Sequence, residues 1–267
     1  MRFTVFGAGG YIGSHLKLAL ELAGHEVFAP ERGAELDPAP GGAELGHAIY
    51  AIGLTGDFRT RHFDTIEAHV ALLSRILETA RYSSFLYLSS TRSYQHGDPD
   101  RRQNEEDMLQ VKPSADGIYD ISKLLGESIC LAQDNSAVRV ARLSNVYSRD
   151  MAETSFLGQV LNALRMRGNC VISESPDSAK DYVHLDDVVG LLVRIAAAGS
   201  NRIYNVASGE NTTHRDVAER LAQLTGADIS FKTGAPTRRL PPIDVNRVAS
   251  EFDFRPKHLL SELAGLI

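Results

Sequence analysis

Residues 2–29 read RFTVFGAGGYIGSHLKLALELAGHEVFA, and the fold follows from how this stretch divides. Five residues of apolar character, Arg2 to Phe6, form a strand candidate, a glycine-rich turn follows at once, and then Ile12, Leu16, Ala19, Leu20 and Ala23 recur at helical spacing. Gly24 supplies a helix stop before a second strand candidate, HEVFA. The order is strand, glycine turn, helix, strand. A turn of this kind aims free backbone N–H groups and the positive end of the helix dipole at one point, which suits an anion and above all a pyrophosphate.

Gly7, Gly10 and Gly13 are spaced G-x-x-G-x-x-G, with Gly9 extra and Tyr11 and Ile12 inside the turn. A glycine triplet alone carries little, but here a strand precedes it, a helix follows it, and an acid, Glu31, stands at the end of the second strand. The unit reads as a dinucleotide site. Glu31 suits the two ribose hydroxyls of NAD, whereas Arg32 beside it suits the extra phosphate of NADP. NAD is favoured because an acid at the strand end repels a phosphate, and NADP stays open.

Beyond a Pro/Gly-rich connection at residues 34–46, an apolar strand HAIYAIGL leads to a helix over Asp64 to Ala80, and then to the strand FLYLSS. Residues 97–107, GDPDRRQNEED, read as a solvated loop. A helix over 118–132, the strand AVRVARL, and a looser series of helices and short strands complete the chain. Buried strands alternating with amphipathic helices predict an α/β fold, a Rossmann-type doubly wound parallel sheet with ligands at the C-terminal strand ends. Residues 1–150 are expected to form the NAD(P)-binding domain. Residues 151–267 are expected to form mainly a small substrate-binding lobe, some of whose elements return to the main sheet, with the Pro-rich PTRRLPPID (236–244) either part of its pocket or only a connector.

The totals bound the alternatives. With 267 residues, 43% hydrophobic and 23% charged, the chain suits one substantial core, and a net charge of −6 with scattered basic residues argues against a nucleic-acid partner. Cys130 and Cys170 lie far apart, without C-x-x-C or His-rich neighbours, so they read as buried thiols of a reducing cytoplasm and no metal site is indicated. No apolar run approaches the roughly 18 to 20 residues that cross a bilayer, so no membrane partner is expected. A homodimer is compatible with this composition.

The stretch IYDISKLLGE, residues 118–127, admits two readings. As a packing helix, Ile121, Leu124, Leu125 and Leu131 form its inward stripe, while Tyr119, Lys123 and Glu127 share another face with Lys123 and Glu127 as a surface pair. In the other reading Tyr119 and Lys123, one turn apart, carry chemistry.

GAGGYIG, FLYLSST, YDISK, RLSNVYS, KDYVHLDDV and YNVASGE occur in that order between residues 7 and 210. Together they resemble the extended short-chain dehydrogenase/reductase family, the NAD-dependent epimerases and dehydratases that act on nucleotide sugars. The resemblance implies that Tyr119 and Lys123 are its Y-x-x-x-K pair. A free phenol, with a pKa of about 10, is a poor base at neutral pH, and an ammonium one turn away favours its phenolate. Lys123 would also reach the nicotinamide ribose. The family's Ser or Thr stands four residues before an aromatic residue, here Ser90 before Tyr94, with Ser89 and Thr91 as alternatives. Asn145 matches an asparagine near the substrate phosphates, Lys180 stands where an arginine is common, and Arg238 or Arg239, of which Arg239 is preferred, would clamp a diphosphate. His184 reads as packed.

Departures narrow the reaction. The family's acidic stretch after the third strand cannot be placed, and His69 stands where an asparagine is usual. The 4,6-dehydratases carry acids directly after the catalytic Ser or Thr, and Thr91 and Arg92 occupy those places, so a dehydratase ranks low. Reducing 3,5-epimerases need a Cys and a His near the substrate, and neither cysteine lies beside Ser90. A 4-epimerase or a keto-reductase remains, acting on a nucleotide sugar. The alternative from another class is a dinucleotide-binding sensor or structural protein without turnover; a serine hydrolase is disfavoured because no G-x-S-x-G elbow occurs.

Overall fold

The structure is a computed structural model that describes residues 1–37 and 44–267. The connection expected at 34–46 therefore lies partly outside the described residues. The chain opens with β1 (Arg2–Phe6), α1 (Tyr11–Leu22) and β2 (Glu26–Phe28). β3 (His47–Tyr50) follows, shorter than expected because Ala51 to Leu54 leave the sheet at its C-terminal end. The next helix runs as α2 (His62–Ile66), one π turn (Glu67–Ala71) and α3 (Leu72–Thr79). Then come β4 (Ser84–Ser90), a 3₁₀ turn (Thr91–Tyr94), α4 (Ile118–Leu131) and β5 (Val138–Leu143).

The remainder comprises β6 (Asn145–Tyr147), α5 (Phe156–Arg167), β7 (Asn169–Ile172), β8 (Ala179–His184), α6 (Leu185–Ala198) and β9 (Ile203–Val206). β10 (Asn211–Thr213), α7 (His214–Thr225), β11 (Asp228–Phe231), α8 (Asn246–Phe252) and α9 (Leu259–Leu266) close it. The main sheet is parallel throughout, in the order β2-β1-β3-β4-β5-β9. Among the described residues no strand falls between β2 and β3, and β2 forms one edge of the sheet.

Alternation along the strands divides the core. Phe3, Val5, Ile49, Leu86 and Ala141 pack on one face against Leu16 and Leu20 of α1 and Val188, Leu192 and Ile195 of α6. Phe6, Ala48, Tyr50, Phe85, Tyr87 and Val140 face the other way, against Leu73, Ile76 and Leu77 of α3 and Cys130 of α4. β9 and α6 thus belong with the main sheet although they follow residue 150. A separate core joins α5, β7, α7 and α9 through Leu157, Leu161, Ile172, Val217, Leu221 and Leu263. Both cysteines are buried free thiols. Among the described residues no helix is long and apolar enough to cross a membrane.

Two expectations fail. The packing stripe proposed for α4 is inverted: Leu125 is 47% exposed and Leu131 36%, while Tyr119, Lys123 and Glu127 are buried at 6%, 5% and 3%. The helix is turned polar face inward because those polar groups find partners on the sheet. Residues 97–107 are likewise no solvated loop throughout. Gln103 and Glu105 are buried, and Gln103 pairs through its backbone with Pro242 and Asp244, so that PTRRLPPID is pinned to this segment.

Candidate active site

A cleft of about 610 Å³ lies across the C-terminal ends of β1, β3, β4 and β5, and its outer wall comes from residues after 150. At one end stands the glycine turn. Gly7 adopts a left-handed φ of +81°, the Gly10 N–H donates to its carbonyl at 2.9 Å, and a Cβ on Gly13 would lie 2.1 Å from that same oxygen. Gly10 caps α1 without any side-chain hydrogen bond, and no acid stands in the first turn, so the helix N-terminus keeps its free N–H groups for a ligand. Tyr11 and Ile12 line the cleft, and the Tyr11 hydroxyl lies 2.6 Å from Ser148 Oγ. Glu31 and Arg32 follow β2, both exposed, and neither lines the cleft.

At the other end α4 presents Tyr119 and Lys123, and the end of β4 and the start of the 3₁₀ turn carry three hydroxyls, Ser89, Ser90 and Thr91, whose roles separate here. Ser89 Oγ donates to Glu127 Oε1 at 2.5 Å, and Thr91 Oγ1 donates to the Leu143 carbonyl at 3.3 Å. Ser90 faces Tyr119, and its hydroxyl accepts from the Arg92 backbone N–H at 3.2 Å. Of the three candidates, Ser90 is the one aimed at the phenol.

Burial is the largest influence on the Tyr119 phenol and pushes it up to about 12; Ser90 and Arg92 oppose that shift and Asp120 adds to it. The Lys123 amino group donates to the Leu88 carbonyl at 2.8 Å and stands 4.9 Å from the Tyr87 ring, and burial pushes it down to about 7 against the pull of Glu127. Arg92, noticed in the sequence only as a missing acid, is the cation placed on the Tyr119 ring, at 5.7 Å from its centroid.

His69 occupies the π turn, wholly buried and edge-on to Tyr119 at 5.3 Å. Such turns often mark functional positions. Its Nε2 accepts from the Leu54 N–H at 3.2 Å, so Nδ1 carries the proton and donates to Ser122 Oγ at 2.8 Å. Burial and Lys123 push the imidazole down to about 2, which keeps it neutral.

Beneath α4 lies a buried network that periodicity does not reveal. Arg142 on β5 donates to both oxygens of Glu127 and, through Nη1, to the Tyr94 hydroxyl at 2.7 Å; Tyr94 donates to Asn205 Oδ1 at 2.9 Å. On the substrate side of the cleft, Asn145 donates to the Asp181 carbonyl at 2.8 Å, and Lys180 Nζ pairs with Glu174 at 3.1 Å above the Phe156 ring. The Asp181 carboxylate accepts from Ser144, Ser208 and the Gly209 N–H, bracing β8 to the ends of β5 and β9. Arg239, preferred from the sequence, pairs with Asp100 at 3.5 Å and does not line the cleft, whereas Arg238 does. His184 packs edge-on against Tyr147 and caps α6, as expected of a structural histidine.

The model of the NAD dependent epimerase/dehydratase family matches residues 43–207, more than half of the chain. A dTDP-4-dehydro-6-deoxy-D-allose reductase from Streptomyces sp is 23% identical over 97% of this chain and 93% of its own. Among solved structures, MoeE5 in complex with UDP-glucose and NAD superposes with a TM-score of 0.79 at 24% identity, covering 99% of this chain and 96% of that one. RMD from Pseudomonas aeruginosa complexed with NADPH gives 0.82 at 21% identity, covering 100% and 98%. These structures share the doubly wound α/β fold with a parallel sheet. The chain belongs to the NAD dependent epimerase/dehydratase family, enzymes of the extended short-chain dehydrogenase/reductase type.

Proposed function

We propose that this protein is an NAD(P)-dependent enzyme that moves hydride at a ring carbon of a nucleotide sugar, in the keto-reductase or the 4-epimerase sense. The observation that carries this reading is the convergence of the Tyr119 phenol, the Ser90 hydroxyl and the Lys123 helix turn in a cleft that begins at an uncapped helix N-terminus. The glycine turn fits a dinucleotide, because a side chain at Gly13 would overlap backbone where a pyrophosphate needs close approach. Gly7, Gly10, Tyr11, Ile12 and Gly13 would hold that group and Glu31 its ribose, with NAD favoured and NADP open. When bound it supplies the hydride donor or acceptor.

Tyr119 gives its proton to the sugar oxygen as the carbonyl carbon is reduced, or takes it in the reverse direction. Ser90 orients that oxygen and stabilises charge developing on it. Lys123 turns toward the nicotinamide ribose. Asn145, Lys180 and Arg238 meet the diphosphate, and residues 151–267 supply most of the substrate lobe. A relative matched over 97% of this chain and 93% of its own is named dTDP-4-dehydro-6-deoxy-D-allose reductase, which supports the reductase sense, while a UDP-glucuronic acid 4-epimerase shares the fold over 100% of this chain and keeps the epimerase sense open.

The test is hydride transfer from NADH and NADPH to a panel of 4-keto sugar nucleotides, in wild type and Tyr119→Phe. The expected outcome is turnover in wild type and a loss of roughly 10²–10⁴-fold in the variant. Equal rates would remove Tyr119 from the chemistry. Mass spectrometry of the denatured protein then separates the two senses: a stoichiometrically retained dinucleotide favours the epimerase.

A further inference from the structure

Tyr119 is enclosed by Phe58 at 5.2 Å, by the edge of His69 at 5.3 Å, and by the Arg92 guanidinium at 5.7 Å. The charged and titratable groups around it come from the 3₁₀ turn, the π turn, α4, the segment before α2, and β4, whose buried Tyr87 phenol couples to it. From the 3₁₀ turn comes Arg92, from the π turn the neutral His69, and from α4 itself Asp120 and Lys123; Arg59 stands behind Phe58 at 4.5 Å, held by Asp116. Lys123 donates to the Leu88 carbonyl and stands over the Tyr87 ring rather than over that of Tyr119. Arg92 is the cation placed over the phenol ring.

Its position is determined from several sides. The backbone N–H bonds Ser90 Oγ, Nε stands 3.0 Å from Asp120 Oδ1, Nη2 donates to the Asp116 carbonyl at 3.4 Å, and the guanidinium lies 5.2 Å from the Phe58 ring. Gln95 Nε2 holds the same Asp120 carboxylate at 2.7 Å. With only 30% of its side chain exposed, Arg92 is partly shielded from the solvent that would screen its charge.

We propose that Arg92 is a positioning residue that stabilises the Tyr119 phenolate, with the neighbouring Asp120 setting how much of its charge reaches the ring. This rests on the reading of Tyr119 as the acid–base group. When Tyr119 passes its O–H proton to the substrate oxygen, the electron pair left on the phenolic oxygen is stabilised by a guanidinium that cannot lose its own proton. Burial disfavours that anion, and Arg92 opposes burial. A basic residue here suits a site that only exchanges one proton with a sugar hydroxyl and has no leaving water to protonate.

The test follows the phenol directly. Uniform 3,5-difluorotyrosine labelling of the nine tyrosines acidifies every phenol, which keeps titration clear of alkaline unfolding, and Tyr119→Phe assigns the Tyr119 signal in the ¹⁹F spectrum. In Arg92→Gln the Tyr119 midpoint moves up by about one pH unit, a tenfold loss of phenolate at fixed pH. Arg92→Lys restores most of the shift, and Asp120→Asn moves the midpoint down. The alkaline displacement of the Arg92→Gln rate profile matches its ¹⁹F shift, with kcat falling far more than KM.

A midpoint unmoved in Arg92→Gln, while Tyr119→Phe is inactive, overturns this proposal and leaves the proposed function standing. If Arg92→Gln does not fold, an unmoved midpoint in Asp120→Asn overturns it equally. A fully active Tyr119→Phe removes the functional reading, and this inference with it.

Discussion

Arg142 Nη2 lies 2.7 Å from Glu127 Oε2, and both side chains are almost wholly buried, at 4% and 3% exposure. The pair fastens α4, which carries Tyr119 and Lys123, to β5. Burial alone would push the guanidinium down, but its bonds to Glu127 and Tyr94 more than compensate and hold it above its ordinary value. Removing one partner strands the other charge in the core, a cost of about 3–5 kcal/mol. Glu127→Ala is therefore expected to lower stability by that amount, read from urea unfolding, while a Glu127→Leu, Arg142→Met double variant recovers much of it.

Ser89 and Ser90 are adjacent but serve different ends. Ser90→Ala is expected to reduce the hydride-transfer rate by about 10²-fold with little change in melting temperature, because it removes a hydroxyl beside the phenol. Ser89→Ala loses the bond to buried Glu127 and is expected to lower the melting temperature more than the rate. Steady-state kinetics alongside thermal melts distinguishes the two. The reverse pattern would move the catalytic assignment to Ser89.

Gly13 and Gly9 belong to one turn with opposite tolerance. A Cβ at Gly13 would fall 2.1 Å from the Gly7 carbonyl oxygen, whereas at Gly9 nothing lies within 4 Å. Gly13→Ala is expected to abolish NAD(H) binding measured by calorimetry and to destabilise the fold. Gly9→Ala is expected to leave melting unchanged.

The pH dependence of stability carries the signature of His69. Its folded pKa of about 2 lies below the unfolded value of 6.5, so the unfolded chain binds the extra proton between those limits. Its contribution is complete above pH 6.5 and is lost as pH falls below it, at up to about 1.4 kcal/mol per pH unit. His214, pushed down to about 4 mainly by burial, adds to the same acid limb. His69→Asn is expected to flatten the slope of unfolding free energy between pH 6.5 and 5 by close to one proton. An unchanged slope would place the imidazole in contact with water.

Local features of the site were legible because they depend on neighbours in sequence. The glycine turn needs only a strand before it and a helix after it, and the four-residue step from Tyr119 to Lys123 needs only one helical turn. The inward face of α4 was not legible. Periodicity counts apolar residues, and it read Leu125 and Leu131 as core, while Lys123 is buried against the Leu88 carbonyl and Glu127 against Arg142 and Ser89. Residues 103 and 105 misled in the same way: a polar segment stays buried when each group meets a partner brought from far along the chain.

The choice between Arg238 and Arg239 shows the same limit at the scale of one residue. Adjacent side chains on extended backbone point to opposite sides, so composition could not say which guanidinium enters the cleft. The sequence by itself determined the order of the main strands and helices as far as β5, the phosphate-type turn and the residue types available for proton transfer, since these rest on local sterics and spacing. Only the tertiary structure decided which polar groups lie buried, which serine faces the phenol and which cation stands on its ring. Those depend on desolvation and on contacts between segments distant in the chain, which no local pattern records.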